Sequence, residues 1–366
     1  FISILRGLVR SPVFAIIAVL TLGLGIGANT AIFSIVNALL LRPLPYDHPD
    51  RLVLVWGTTP KVKRASISPP NFLDYQDQNR VFEQMATFNG TDVILTGVID
   101  PERVHGGRVT PNFFAVLGVQ PIYGRNFRPE DGQVGHTDVV ILSYGFWRRR
   151  FAANTSAIGQ TISLNSKPYT IIGVMPDSFE FSVPGFFRPA EIWSPAALVR
   201  DDKQRARNYL RTLARLKPDI TIQQAKSDLN SISSQLSRLY PAANDGLGAD
   251  IVSLHEQMTE GSRRPLLFLL GAVSFVLLIA CANVANLQLE RAVLRQKEIA
   301  VRVALGASHS RIAGELLAES MIIALAAGIV GVVLAVVGLG TMKANFANVL
   351  PVGGDHVLDL KILAFT

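Results

Sequence analysis

The sequence predicts an α-helical transmembrane bundle joined to a large α+β domain outside the membrane. Three windows of the 366-residue chain, 11–41, 265–289 and 320–342, contain no Asp, Glu, Lys or Arg. Residues 42–264, between the first two windows, have ordinary polarity and nearly balanced charge. Near each end of that stretch a strand–helix–strand pattern recurs. The whole chain is 49% hydrophobic and 17% charged, against about 25% charged in an ordinary soluble domain.

The first window exceeds the roughly 20 apolar residues that cross a bilayer core, and a transmembrane helix is assigned to 13–41 after a cytoplasmic segment, 1–12. It is longer than the apolar core of a signal peptide, about 7 to 15 residues, and lacks a small-residue cleavage site before Arg42. At about 1.5 Å per residue it overshoots the roughly 30 Å hydrocarbon layer, so the helix is expected to continue as a stalk. Gly23 and Gly27 form a G-x-x-x-G, and small residues let helices approach closely while amides hydrogen-bond between them. The second span, 265–289, carries Asn283 and Asn286; the third, 320–342, carries Gly328, Gly331, Gly338 and Gly340. Gly23, Gly27, Asn283 and Asn286 are therefore the predicted helix-packing residues of a bundle or dimer.

In the domain, 42–264, an apolar run at 52–56 reads as a strand. Ser68 followed by Pro69 opens a helix expected to carry Phe72, Leu73, Val81, Phe82 and Met85, with a strand at 93–95 after it. Late in the domain, 209–216 reads as a strand and Thr221-Ile222-Gln223-Gln224 as a capping box. Its helix places Ala225, Leu229, Ile232, Leu236 and Leu239 at helical spacing, and 251–254 closes the unit. Two strand–helix–strand units suit a ferredoxin-like layer. Between them, at about 103–200, short strands predominate: 139–142, and a hairpin over 161–175 turning at Asn165-Ser166. This region is read as an inserted β-rich subdomain.

Residues 290–319 hold nine charged side chains. Burying them at about 2.5 to 3.5 kcal/mol each is prohibitive, so this loop lies in water. Glu298 precedes Arg302 by four, the favourable order for a helical ion pair. Gly306 can end that helix, and Ser308 or Ser310 can cap the next. From spacing alone the loop is either an ordinary helical hairpin or a docking surface for a cytoplasmic partner. Arg6 and Arg10 precede the first span, and Arg291, Arg295, Lys297, Arg302 and Arg311 lie between the second and third. Basic residues in short segments stay in the cytoplasm, which puts 42–264 outside. Residues 343–366 then form an outer loop and the start of a fourth span (Leu358, Leu360, Ile362, Leu363). The chain begins at Phe1 and is expected to be a fragment of a longer one.

The net charge of +7 is spread along the chain, which argues against nucleic acid as a partner. Cys281, the single cysteine, permits no internal disulfide. There is no G-x-x-x-x-G-K-[ST], H-E-x-x-H, G-x-S-x-G or C-x-x-C. His48, His105, His136, His255, His309 and His356 show no metal-ligand spacing, and His105 is read as a loop residue. Glu130-Asp131 before Gly132 reads as a turn, and Asp201-Asp202 as a solvated loop. No catalytic residue, cofactor or metal is predicted.

Several segments carry a family resemblance. "SPVFAIIAVLTLGLGIGANTAIFSIVNALLLRPLPY" resembles the first span of MacB-like, FtsX-type ABC transporter permeases, particularly the acidobacterial duplicated orphan permeases. "SPPNFLDYQDQNRVFEQMATF", "VTPNFFAVLGVQPIYGRNF" and "VVILSYGFWRRRFAANTSAIGQTISLNSKPYTIIGVMPDSF" are similar to that family's periplasmic core domain, and "RQKEIAVRVALGAS" to its cytoplasmic loop. The resemblance implies a four-span unit in the bacterial inner membrane, working with an ABC ATPase subunit (a separate chain or a lost fusion). It further implies a second permease unit (homodimer or internal duplicate) and, as another candidate partner, a periplasmic adaptor. Lys297, Glu298, Arg302, Leu305, Gly306 and Ala307 would form the ATPase-coupling loop, and the first span the lever of a mechanotransmission system. The alternative is a membrane-tethered periplasmic receptor or scaffold without ATPase coupling.

Overall fold

The computed structural model describes residues 12–97, 100–294, 296, 300–301, 304 and 308–346. The chain divides into two compact units, Pro43–Gly261 and the segments before and after it.

The membrane unit starts with α1 (Pro12–Val36), which runs on into a π-helical turn, Asn37–Leu41. Arg42 ends it in an extended conformation, its N–H donating to the Asn37 carbonyl at 2.9 Å.

The domain then opens with β1 (Leu52–Thr58), α2 (Pro69–Gln78) and β2 (Phe82–Thr96). The insertion follows: β3 (Glu102–Val109), α3 (Phe113–Leu117), β4 (Tyr123–Gly124), β5 (Val139–Leu142), α4 (Tyr144–Phe151), β6 (Thr161–Leu164), β7 (Lys167–Val174) and β8 (Ile192–Pro195). It returns through β9 (Arg211–Leu216), α5 (Ile222–Leu239), α6 (Pro241–Asn244) and β10 (Gly248–Ser253). Two long helices complete the described chain: α7 (Leu254–Leu294) and α8 (His309–Phe346).

Strands β10, β1, β9 and β2 lie side by side and antiparallel, the arrangement of a ferredoxin-like layer. The insertion is not a separate sheet. Strand β2 pairs with β9 through Phe82–Phe88, with β3 through Phe88–Leu95, and with β6 at Leu95 and Thr96. From β3 the pairing passes to β8, β5, β7 and β6 and so returns to β2. The inserted strands therefore close a ring on the far half of a strand that the first layer also uses.

Three expectations change. The helix from Pro69 ends at Gln78, and Phe82 and Met85 belong to β2. Asn79 makes the break: its Nδ2 donates to the Tyr75 carbonyl at 2.8 Å while its Oδ1 accepts from the Phe82 N–H at 3.0 Å. Residues 93–95 are the end of β2 rather than a strand of their own. His105 is in β3, opposite Asp92 of β2, with Nδ1 2.8 Å from the Asp92 carboxylate. That hydrogen bond holds the Asp92 carboxyl below its ordinary range. The capping box at Thr221 forms as read, Gln224 N–H donating to Thr221 Oγ1 at 3.2 Å and Thr221 N–H to Gln224 Oε1 at 2.8 Å. The β6–β7 hairpin turns at Asn165 and Ser166, both left-handed, as a two-residue hairpin requires.

Two cores flank the ferredoxin-like layer. Val53 and Val55 face one, under α2 and α5, with Phe72, Leu229 and Ile232. Leu52, Leu54 and Trp56 face the other, where Phe88, Phe113, Phe181, Phe187 and Trp193 cluster. Being buried on both faces explains why β1 reads as a continuous apolar run rather than an alternating one. A third core, with Val104, Val140, Leu164 and Ile171, belongs to the ring.

The segment that follows the first span is fastened to the aromatic core. Tyr46 is buried there and donates its hydroxyl to the Glu180 carbonyl at 2.9 Å; burial pushes the hydroxyl pKa up, and the charge of Glu180 adds to it. Arg215, 5% exposed, donates from Nη2 to the Val116 carbonyl at 2.6 Å and from Nη1 to His48. A Cβ on Gly118, which has φ +72°, would come 2.3 Å from that of Asp47, so only glycine lets this segment lie so close. Leu254, at the start of α7, is buried in the same core.

The acidic pairs of the sequence serve structure. Asp202 pairs with Arg205, whose guanidinium also binds Asp74 at 2.6 Å and stacks 3.6 Å from the Tyr240 ring centre. Asp131 accepts from Arg125 Nη1 at 2.6 Å and from the Arg128 N–H at 2.7 Å. Burial acts to raise its pKa, but these donors outweigh it and hold the carboxyl below its ordinary range. A lowered folded pKa stabilises above the unfolded value, about 3.9, and that stability is lost as pH falls through the folded value. Asp131→Asn should therefore cost the domain about 1 to 3 kcal/mol at pH 7. In urea denaturation at a series of pH values, the gap from wild type should close below about pH 4.

Candidate coupling site

Three helices among the described residues are long and apolar enough to cross a membrane: Pro12–Leu41, Leu254–Leu294 and Leu317–Thr341. Their packing rests on missing side chains. A Cβ on Gly27 would come 2.8 Å from the Gly331 carbonyl oxygen, and one on Gly23 would lie 3.0 Å from Val330 Cγ1. Across the contact, a Cβ on Gly331 would meet Ile26 Cγ2 at 2.7 Å. Gly23 and Gly27, one helical turn apart, thus bring α1 against α8. Gly25 turns toward α7, where a Cβ would lie 3.0 Å from Leu277 Cδ1. Thr30 and Ser34 of α1 are buried and return their hydroxyl protons to carbonyls four residues back, at 2.8 and 2.7 Å, which satisfies them inside their own helix. Asn283 and Asn286 are exposed on α7. The structure therefore gathers Gly23 and Gly27 at one helix contact and leaves the two asparagines outside it.

The proposed coupling residues Lys297, Glu298, Arg302, Leu305, Gly306 and Ala307 lie outside the described residues. The helix ends on either side are described. Near the end of α7, Arg291 Nη1 lies 3.0 Å from Glu319 Oε1 of α8, and its guanidinium carbon lies 4.3 Å from the Phe14 ring centre of α1. Gln288 Oε1 accepts from Ser320 Oγ at 3.0 Å. In the sequence Arg291 and Glu319 are simply two of the nine charges of the loop 290–319. The signal that could have found them is position: each stands within two residues of a charge-free window, at opposite ends of the loop.

In the domain, Arg149, from the basic run 148–150, bridges Glu102 and Glu191 at 2.7 Å each. Among the described residues no group of three His, Cys, Asp or Glu side chains could hold a metal ion.

The MacB-like periplasmic core domain family matches residues 15–232, and the FtsX-like permease C-terminal family matches residues 270–358. The chain belongs to the MacB-like, FtsX-type ABC permeases. It is accordingly a membrane protein of that family with a periplasmic domain. Among similar proteins is the probable export ATP-binding/permease protein MacB of Pseudomonas entomophila, 26% identical over 66% of this chain and 35% of that one. Another is the macrolide export ATP-binding/permease protein MacB of Aggregatibacter actinomycetemcomitans, 23% identical over 75% of this chain and 41% of that one. The permease chain thus spans less than half the length of these curated relatives. Among solved structures, the periplasmic region of MacB from Actinobacillus actinomycetemcomitans superposes with a TM-score of 0.42 at 12% identity, covering 64% of this chain and 97% of that one.

The glycine contacts make a sharp prediction for this permease. Gly27→Val drives a side chain into the Gly331 backbone, and such overpacking costs about 1 to 3 kcal/mol. Gly328, around which no atom lies within 4 Å of a built Cβ, should accept alanine. Thermal melts of the detergent-solubilised protein should show Gly27→Val melting several degrees lower and Gly328→Ala unchanged.

Proposed function

We propose that this chain is the permease part of an ABC-type export or mechanotransmission system of the bacterial inner membrane. Motion driven by a separate ATPase passes through the transmembrane helices to the periplasmic domain. The observation that carries this reading is the charged segment 290–319, set between two apolar spans inside the region that matches the FtsX-like permease family. Lys297, Glu298, Arg302, Leu305, Gly306 and Ala307 are its motor contact. Residues 1–12 and 290–319 are cytoplasmic, and 42–264 periplasmic.

The domain supports the reading through its attachments. Tyr46 and Arg215 fasten the segment after the first span to the aromatic core, and Leu254 starts α7 in that core. A pull delivered through either segment reaches buried, close-packed side chains, which transmit strain rather than absorb it. Exposed amides are unfavourable against lipid, so Asn283 and Asn286 are assigned to contact with a second permease unit.

Two experiments test this. Glu298→Lys combined with Arg302→Glu should leave the fold intact and abolish both co-purification of an ATPase and its stimulated ATP turnover. Unchanged turnover in that variant would favour a periplasmic receptor or scaffold instead. For topology, single cysteines at Ser253 and Ser308 in a Cys281→Ser background report sidedness. A membrane-impermeant maleimide on spheroplasts should label Ser253→Cys alone; labelling of Ser308→Cys reverses the orientation.

A further inference from the structure

The loop assigned to the motor is bounded by two side chains that the fold brings face to face. Arg291 is three residues from the end of α7, and Glu319 is ten residues into α8. Their side chains are 18% and 14% exposed, with Nη1 and Oε1 3.0 Å apart. The Phe14 ring of α1 lies against the same guanidinium, and Gln288 and Ser320 add a second interhelical hydrogen bond beside the pair. One cluster thereby touches all three helices.

The chemistry suits a fixed joint. A half-buried carboxylate near the edge of the apolar spans is costly unless paired. Arginine can meet it with one edge of its planar group while its face rests on an aromatic ring, which a lysine ammonium cannot do in the same way. Beyond Glu319, α8 continues back to His309, an arm of about 15 Å at 1.5 Å per residue. The direction in which that arm leaves the bundle is set where Glu319 is held.

We propose that Arg291 and Glu319, with Phe14 against the guanidinium, are positioning residues for the coupling loop. They fix the spacing of the two helix ends that carry the loop, so that a push on it moves α1, α7 and α8 together instead of bending the loop. This rests on the reading that the loop meets an ATPase.

The test uses the full chain in its membrane with Cys281→Ser and nitroxide labels on Leu294→Cys and Ser308→Cys, both exposed positions. Pulsed electron–electron resonance then measures the spread of the distance across the loop. Arg291→Glu or Glu319→Arg alone should broaden that spread. In the unlabelled protein either change should lower stimulated ATP turnover about 2- to 30-fold, the equivalent of the coupling energies that mutations between two sites carry. The double exchange, Arg291→Glu with Glu319→Arg, restores the ion pair without the Phe14 contact and should recover most of both signals. Arg291→Gln leaves no added like charge between the helices and should behave as the single variants do, which guards against a simple folding failure. An unbroadened spread in the single variants, or a double exchange no better than either, overturns the joint. Absence of stimulated turnover in the wild type, with the distance effects present, overturns the motor reading and with it the coupling role.

Discussion

Strand β2 must satisfy two neighbourhoods at once, and the architecture of the domain follows from that requirement. Its first half completes the ferredoxin-like layer against β9, and its second half closes the inserted ring through β3 and β6. A fifteen-residue strand is long beside the usual five or six. Its two halves rest on different partners: β9 along Phe82–Phe88, β3 along Phe88–Leu95, and β6 at Leu95 and Thr96. Its start is set by Asn79, whose amide ends the preceding helix with one atom and receives the first strand N–H with another. Without that break, Phe82 and Met85 would continue a helix and the layer would lose its edge. The insertion is therefore built onto the ferredoxin-like layer instead of hanging from it by two linkers.

The membrane unit is governed by a different constraint. Lipid chains are as apolar as leucine, so helices gain little by hiding aliphatic side chains from it and associate by close approach and polar contact. Both devices are present, at different heights. Gly23, Gly27 and Gly331 remove side chains where α1 meets α8. Near the end of α7, Arg291, Glu319, Gln288 and Ser320 supply charge and hydrogen bonds between helices. A glycine contact at one height and a polar joint at another suit helices that move as a body, as the transmission of motion proposed above requires.

Much of this was legible in the chain because the responsible forces act locally. Long charge-free windows mark spans, since each charge in a bilayer core carries a cost the helix itself cannot offset. The Thr221 capping box, the helical spacing of Ala225, Leu229, Ile232 and Leu236, and the Asn165-Ser166 turn all depend on neighbours within a few residues, and all stand in the structure. The family resemblance rested on the same kind of contiguous segments. The helix from Pro69 stops short of Phe82 and Met85, which fit helical spacing as well as a strand. The choice was made by β9 and by Asn79.

By itself, then, the sequence determined which segments are long and apolar enough to cross a membrane, and the strand–helix–strand unit that ends the domain. Only the tertiary structure decided the partners at a distance. It closed the ring on β2, set His105 into a strand opposite Asp92, seated Arg205 between Asp74 and Tyr240, and brought Arg291 to Glu319 across the loop. The physical reason is that a buried charge or a strand edge must be satisfied, but nothing local names the group that satisfies it. That group is set by which surfaces the whole fold presses together.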